Sequence, residues 1–318
     1  MISLGKQLYN AMKHSNSLFA IKIGDRYISY DELNSKALAL GGFFSQNGVT
    51  NQNVGIITQR NFSAYIGILG VIYSGCTYVP INRKYPEEKI TEIINDANIQ
   101  VLISNEKDWS LIHNKIRNIE NLKFVVFPNG SSKQDGLLNS ITIIEIDNVS
   151  PLQEPIDVDF DKNVYIMFTS GSTGKPKGVQ VNNKNVTSLL ENMKFYYDFE
   201  PGFRASQTFD LSFDLSISDM FFTWLNKGTL CVLNEKELYC PSEYINREKI
   251  QFWHSVPTLA EFMHKLGFLE RNMYPSLRAS IFCGEPLTQK VANAWTNAAP
   301  NSVIENLYGP TEATVFVS

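Results

Sequence analysis

The stretch that most constrains this chain is Thr169-Ser170-Gly171-Ser172-Thr173-Gly174-Lys175-Pro176-Lys177-Gly178, entered from the apolar run Val164-Tyr165-Ile166-Met167-Phe168. The run reads as a buried strand. The loop after it is built from glycines, hydroxyls and two lysines, with almost no apolar surface. Glycines let successive backbone N–H groups turn inward as an anion-binding nest, and hydroxyls and lysines add donors and charge. Such a loop suits a polyphosphate. It is not a Walker A loop, because Pro176 and Lys177 break the required Gly-Lys-Ser/Thr ending. Nor is it a nucleophile elbow, since no pair of glycines brackets a serine at the Gly-x-Ser-x-Gly spacing. A flexible surface loop is the plain alternative; the strand that aims it argues for a site.

Composition narrows the class. With 318 residues, 43% hydrophobic and 12% aromatic, the chain can bury a large core and is expected to form two lobes. A net charge of -4 gives no general attraction to nucleic acid or to an anionic membrane. Cys76, Cys231, Cys240 and Cys283 show no C-x-x-C spacing, so a reducing, cytoplasmic setting is the simpler expectation. The histidines, His14, His113, His254 and His264, form no zinc-type cluster. The N-terminus lacks the apolar core of a signal peptide. The most apolar stretch, Ala64 to Tyr73, is only about half the length that spans a bilayer. No membrane insertion is expected.

Along the chain, short apolar runs alternate with helical patterns. Ser29-Tyr30-Asp31-Glu32 is a capping box, followed by Leu33, Ala37, Leu40 and Phe44 at helical spacing until Gly48. Strands are expected near 54–58, 101–104, 124–127 and 141–146, and Asn61 can cap a helix running to about Ser74. Beyond the loop, strands are expected near 205–208, 229–233, 251–256, 280–283 and 303–306, with helices near 186–197 and from Asp214. Repeated strand–helix–strand units imply an α/β fold of mostly parallel sheets flanked by helices in two lobes. Asn129 to Gly136 and Pro151 to Pro155 are breaks; the second is favoured as the boundary, dividing 1–150 from 151–318. Thr314 to Ser318 is a β-prone run that stops without turn or cap, and is read as an unfinished strand of a longer protein.

A second motif, Asn306-Leu307-Tyr308-Gly309-Pro310-Thr311-Glu312, follows the loop. Together the two resemble the adenylate-forming enzymes, the family of acyl-CoA synthetases, luciferases and peptide-synthetase adenylation domains. Ile28 to Leu33 and Gly75 to Asn82 resemble that family's structural core motifs, with Asn82 standing where Asp is usual. The resemblance implies ATP and Mg²⁺ as cofactors. It implies that Thr169, Ser170, Gly171, Ser172, Thr173, Gly174 and Lys177 hold the phosphates. Tyr308 is then expected to stack on adenine, Asn306 to bond its amino group, and Gly284, Glu285, Pro286 and Gly309 to edge the nucleotide pocket. Thr311 would touch the α-phosphate and Glu312 would hold Mg²⁺. A carboxylate is the right hard ligand for magnesium bridging phosphates. A bare β-turn is the plain reading of Tyr-Gly-Pro-Thr. Without the regions that supply the family's ribose-binding Asp and catalytic Lys, a chain ending at 318 is expected to turn over poorly by itself.

The substrate class turns on Asp214. By resemblance, the amino-acid-activating branch carries Phe-Asp-x-Ser before a helix, and its Asp pairs with the substrate α-ammonium. Two registers compete, Phe209-Asp210-Leu211-Ser212 and Phe213-Asp214-Leu215-Ser216; Phe221 favours the second. The plain alternative is that Asp214 only caps the helix. The remaining side-chain pocket is expected from Leu215, Ser218, His254, Ile281, Cys283, Leu307, Val315 and Phe316, a set suited to a small side chain. Phe-Asp-Leu-Ser, Phe-Cys-Gly-Glu and Tyr-Gly-Pro-Thr-Glu-Ala-Thr-Val most resemble D-alanine–carrier-protein ligases, favouring alanine. His254 departs from that pattern and offers a bond to a serine or threonine hydroxyl, unless it is simply a core histidine. The expected activity is ATP-dependent formation of aminoacyl-AMP for transfer to a carrier-protein phosphopantetheine thiol. A stand-alone ligase is favoured; an excised synthetase module, an acyl- or aryl-CoA ligase and a non-catalytic nucleotide-binding homologue remain alternatives.

Overall fold

The computed structural model describes residues 2–15, 17–116, 119, 121–128, 142–145, 149–170 and 175–317. In chain order the strands are β1 (Phe19–Ile23), β2 (Arg26–Ser29), β3 (Asn53–Thr58), β4 (Thr77–Asn82), β5 (Val101–Ile103), β6 (Phe124–Phe127) and β7 (Thr142–Glu145). They continue as β8 (Asn163–Ser170), β9 (Pro176–Asn182), β10 (Arg204–Gln207), β11 (Thr229–Val232), β12 (Phe252–Ser255), β13 (Ala279–Cys283) and β14 (Val303–Leu307). Two sheets result, ordered β7-β6-β5-β3-β4-β8-β9 and β14-β13-β12-β10-β11-β1-β2. Parallel pairing dominates both, as expected for strands joined through helices.

The division of the chain differs from a cut at 150. One unit comprises Met1–His14, Asp31–Ser188 and Asp210–Ser212; the other comprises Ser15–Tyr30, Leu189–Phe209 and Phe213–Ser318. The reason is strand pairing. β8 pairs with β4 through Tyr78 and Tyr165, so the strand before the glycine-rich loop completes the first sheet instead of opening the second. Conversely β1, from near the N-terminus, pairs in parallel with β11 and carries β2 as an antiparallel edge.

The core of the first unit is aliphatic. Ile57, Val79, Ile81, Leu102 and Val125 from the strands meet Ile90, Ile93, Ile94, Ile112 and Ile116 from the helices Glu87–Asp96 and Glu106–Ile116. The helix Phe62–Tyr73 is buried along its whole length, and Asn61 caps it by accepting from the Ala64 N–H at 3.1 Å. Close by, Asp108 is buried and held by Arg83 at 3.2 Å and by the amides of Asn61 and Asn105.

The core of the second unit is aromatic. Trp253, Tyr274, Phe282 and Trp295 pack together, and the Trp295 indole donates to Ser280 Oγ at 2.9 Å. At the amino ends of its strands the buried Glu248 takes ion pairs from Lys22, Arg204 and Arg247. The sheet order places a switch point between β10 and β12. From β10 the chain goes one way, to β11; from β12 it goes the other way, to β13 and β14. In doubly wound sheets ligands bind outside the carboxyl ends at such a point.

Candidate functional site

In the first unit the glycine-rich loop is the connection of a β-hairpin. β8 and β9 pair antiparallel, with Thr169 opposite Lys177 and Ser170 opposite Pro176. Pro176 is tolerated because β9 is the sheet edge. Lys175 and Lys177 are exposed and Thr169 is half-buried at the strand end. Gly171, Ser172, Thr173 and Gly174 lie outside the described residues. A sheet-edge hairpin with Thr169 at the end of one strand and lysines at the start of the other presents donors and positive charge to solvent.

In the second unit, strand register assembles one face. His254 of β12 pairs with Ile281 of β13, and Cys283 pairs with Leu307 of β14. Alternation puts these four side chains on the same side, while Trp253 and Phe282 point oppositely into the aromatic core. On β10, Ala205 pairs with Phe252, so Gln207 stands level with His254 on this face. Burial pushes the Cys283 thiol up to about 11, so it is a protonated, unreactive wall. Glu305, on the same face, is also raised by burial, and the Tyr197 hydroxyl donates to it.

Asp214 does not cap the helix after it. Its own backbone is already helical and its side chain makes no capping bond. Instead it is buried, and burial raises its carboxyl above the ordinary range. The Thr311 hydroxyl and the N–H groups of Leu215 and Val315 act in the opposite sense. Oδ2 has no hydrogen-bond partner. A buried carboxylate oxygen without a partner is unusual and calls for an explanation. Asp210 is different: its Oδ1 accepts from the Ser212 N–H and hydroxyl at 2.9 and 2.7 Å and lies 3.4 Å from the Thr58 hydroxyl. That is a closed Asx turn.

After Asp214 the chain makes two short α turns, Leu215–Ile217 and Thr223–Leu225, around a π turn at Ser218–Phe222. π turns inside helices recur at functional sites. Here the turn lets two consecutive residues reach one imidazole. Asp219 Oδ1 lies 2.7 Å from His254 Nδ1, and Ser218 Oγ lies 3.5 Å from it. Nε2 of His254 has no partner, although the side chain is fully buried.

The segment after β14 folds back on itself. Thr311–Ala313 is a short 3-10 turn, and the Val317 N–H donates to the Tyr308 carbonyl at 2.8 Å. The expected strand at 314–318 does not form over its described residues. Thr314 and Val315 take φ of 65° and 72°, left-handed values that no strand contains and that β-branched residues resist. Gly309 permits the fold: a Cβ there would lie 2.4 Å from Phe316 Cα. Tyr308 keeps 70% of its surface exposed, a bare ring free to stack. Asn306, Pro310 and Glu312 are exposed; Leu307, Thr311 and Phe316 are half-buried. Among the described residues no cluster of three or more acidic, His or Cys side chains could cage a metal. The lone exposed carboxylate of Glu312 suits an ion whose other ligands come from phosphates and water. Gly284 turns at φ of 92° after β13, and the Glu285 carboxylate accepts from the Thr258 N–H at 3.0 Å and from its hydroxyl. Pro286 is exposed beside it.

Asp214, Leu215, Ser218, His254, Ile281, Cys283, Thr311 and Val315 thus all lie in the second unit, on or beside the switch-point face. Sequence reasoning missed Gln207 and Asp219. Asp219 had a legible signal, a single acid inside the apolar run Ile217–Phe222. Gln207 had none, because only the β10–β12 pairing brings it level with His254.

Two α/β units with these motifs define an adenylate-forming ligase fold. A model of the AMP-binding enzyme family matches residues 9–318, and the chain belongs to that family. The D-alanine–D-alanyl carrier protein ligase of Listeria monocytogenes is 34% identical over 299 residues, covering 92% of this chain and 55% of that protein. A plipastatin synthase of Bacillus subtilis is 28% identical over 310 residues, covering 94% of this chain and 11% of that protein. The crystal structure of the Vibrio cholerae adenylation domain AlmE in complex with glycyl-adenosine-5'-phosphate superposes with a TM-score of 0.89. It is 27% identical, and the match covers 99% of this chain and 60% of that one. The chain therefore spans about half the length of the carrier-protein ligases it matches.

Proposed function

We propose that this chain forms the nucleotide- and amino-acid-binding core of an enzyme that activates a small amino acid, of alanine or serine type, with ATP. The amino-acid carboxylate attacks the α-phosphorus, pyrophosphate leaves, and the aminoacyl group of the resulting aminoacyl-AMP passes to a carrier-protein phosphopantetheine thiol. The observation that carries this reading is Asp214, buried with Oδ2 unpartnered. A substrate α-ammonium supplies the missing cation, whereas a plain carboxylic acid leaves the carboxylate uncompensated. Relatives that ligate D-alanine to a carrier protein support the same class.

In this reading Thr169, Ser170, Ser172, Thr173 and Lys177 hold the β- and γ-phosphates, with Gly171 and Gly174 shaping the nest. Donors fixed in advance stabilise the charge of the departing pyrophosphate without reorganising. Tyr308 stacks on adenine, with Asn306, Gly284, Glu285, Pro286 and Gly309 at its edge. Glu312 holds Mg²⁺, which when bound neutralises phosphate charge. The Thr311 hydroxyl acts to lower the Asp214 pKa, and in this reading turning it towards the α-phosphate would couple the two ligands. Leu215, Ser218, Ile281, Cys283, Leu307, Val315 and Phe316 bound a small side chain. A reaction that consumes ATP fits the cytoplasm, and among the described residues no helix is long and apolar enough to cross a membrane.

Calorimetry on this chain with α,β-methylene-ATP, comparing alanine and serine with propionate, tests the reading. Amino acids should bind and propionate should not. Asp214→Ala should cost roughly 3–5 kcal/mol in amino-acid affinity by leaving a buried ammonium unpaired. Asp210→Ala, which opens only an Asx turn, should be mild. Equal binding of propionate, or the reverse order of the two variants, would overturn the assignment.

A further inference from the structure

The amino ends of the second sheet, opposite the switch-point crevice, carry a cavity that the proposed reaction does not use. It is open, about 670 Å³ in volume, and lined by Arg204, Lys249, Gln251, Ser276, Arg278 and Asn301, with Pro275 as its one apolar residue. Strand register builds it. The Gln251 N–H donates to the Arg204 carbonyl at 2.9 Å, and the Gln251 carbonyl accepts from the Arg278 and Ala279 N–H groups at 2.8 and 3.1 Å. The Arg278 carbonyl accepts in turn from the Val303 N–H at 3.0 Å. The starts of β10, β12, β13 and β14 are thereby set side by side. Two strand spacings, about 10 Å, separate the Arg204 and Arg278 backbones.

The lining holds three cations and no carboxylate. Arg204 is fixed by Glu248, but that one buried acid is shared with Lys22 and Arg247; Arg247 also reaches Glu237. Among the described residues Lys249 and Arg278 are in no ion pair. The adjoining groove, which shares Arg204 and Lys249, adds a single further acid, Asp25. Positive charge is therefore in surplus. The neutral groups favour an anion as well. Ser276 Oγ is buried without a hydrogen-bond partner, which calls for an explanation. Gln251 Oε1 accepts from the Arg204 N–H at 3.3 Å, so what its amide can still add is N–H donors. Lys249 follows the helix Pro241–Arg247 at φ of 50°, the left-handed position where helices commonly end on glycine. Glycine takes that conformation freely, so the lysine side chain is held there against backbone strain.

We propose that this cavity binds a condensed inorganic phosphate, pyrophosphate or a longer chain, at the far end of the sheet from Asp214 and Tyr308. Guanidinium forks, an ammonium and a hydroxyl match phosphate oxygens through charge-assisted hydrogen bonds. One phosphate would leave most of the volume empty, whereas a chain of them meets cations set two strands apart. A nucleobase or an acyl chain finds no apolar wall beyond Pro275.

The test titrates tripolyphosphate into this chain by calorimetry at low ionic strength, without divalent metal and with saturating α,β-methylene-ATP. Tripolyphosphate should bind one to one beside the nucleotide analogue. Arg278→Gln and Lys249→Gly should each weaken that binding about 10-fold or more, the loss expected for one charge-assisted hydrogen bond. Ser276→Ala should weaken it a few-fold. Glycine suits the left-handed backbone at 249, so thermal melts should find Lys249→Gly at least as stable as the parent, and its lost binding is then no folding effect. Affinity unchanged in both Arg278→Gln and Lys249→Gly, no binding at millimolar concentration, or complete displacement by the nucleotide analogue overturns the proposal. Equal affinity for monophosphate overturns the assignment to a condensed phosphate. Failure of the analogue itself to bind counts against the proposed function alone, because the cavity variants still report on this site.

Discussion

Asp214 carries a cost in the folded chain that, in the reading proposed above, a substrate ammonium offsets. Burial raises its folded-state pKa, against the pull of Thr311 and two backbone N–H groups. A raised carboxyl contributes stability that is full below the ordinary carboxylate range and is lost as pH rises through the folded value. At neutral pH the ionised, half-satisfied group is therefore a net burden. Asp214→Asn should raise the stability of the ligand-free chain by about 0.5–2 kcal/mol while removing amino-acid binding. Thermal melts at pH 7.5 with and without amino acid check both halves. Amino-acid affinity should also fall as pH drops through the raised value, because only the ionised carboxylate pairs with an ammonium. That loss should begin above the usual Asp range, and an affinity flat down to the ordinary Asp range would contradict the cause assigned here.

At the scale of elements, the turn from Tyr308 to Val317 does what neither a strand nor a helix could. It reverses within a few residues, points the Val315 N–H at Asp214 and leaves the Tyr308 ring bare. Its left-handed Thr314 and Val315 are the sort of strain that persists only where surrounding contacts enforce it. Gly309 is the weak point, because any side chain there collides with the backbone of Phe316. Gly309→Ala should displace the turn and lower both ATP and amino-acid affinity, on the order of 10–100-fold for a shift near 1 Å. Fluorescent-nucleotide titration and calorimetry would measure the two losses. A loss confined to ATP would show that the turn does not position Asp214.

At the scale of the second unit, Glu248 ties distant parts of one sheet together. Lys22 comes from β1, Arg204 from β10, and Glu248 itself precedes β12. Burial opposes its ionisation, but the bonds from Lys22 and Arg247 and the charges of Lys22 and Arg204 prevail, so its pKa is lowered. A lowered carboxyl gives stability that is present above its ordinary range and is lost as pH falls through the folded value. Glu248→Ala should cost about 3–5 kcal/mol at neutral pH, because it strands the buried Lys22. Denaturant titrations at pH 7 and at pH 3 should show the gap between variant and parent closing in acid.

What the sequence by itself determined is whatever local chemistry states within a few residues. The Asn61 cap, the short apolar runs of β3, β12 and β13 and the family motif Tyr308–Glu312 were all legible. So was the choice of α/β architecture, because periodicity and turn residues act over short distances. The tertiary structure decided the rest, for reasons of pairing and register. Nothing local says that β8 should pair with β4, or that β1 should cross to the second sheet; long-range strand pairing places the unit boundary elsewhere than the Pro151–Pro155 break. The run at 314–318 has strand-forming residues, yet the Gly309 close approach overrides that propensity. Which polar atoms of Asp214 and His254 burial leaves without a partner was likewise not legible from local sequence. That property belongs to a packed interior, where every hydrogen-bonding group has already chosen among neighbours brought together from across the chain.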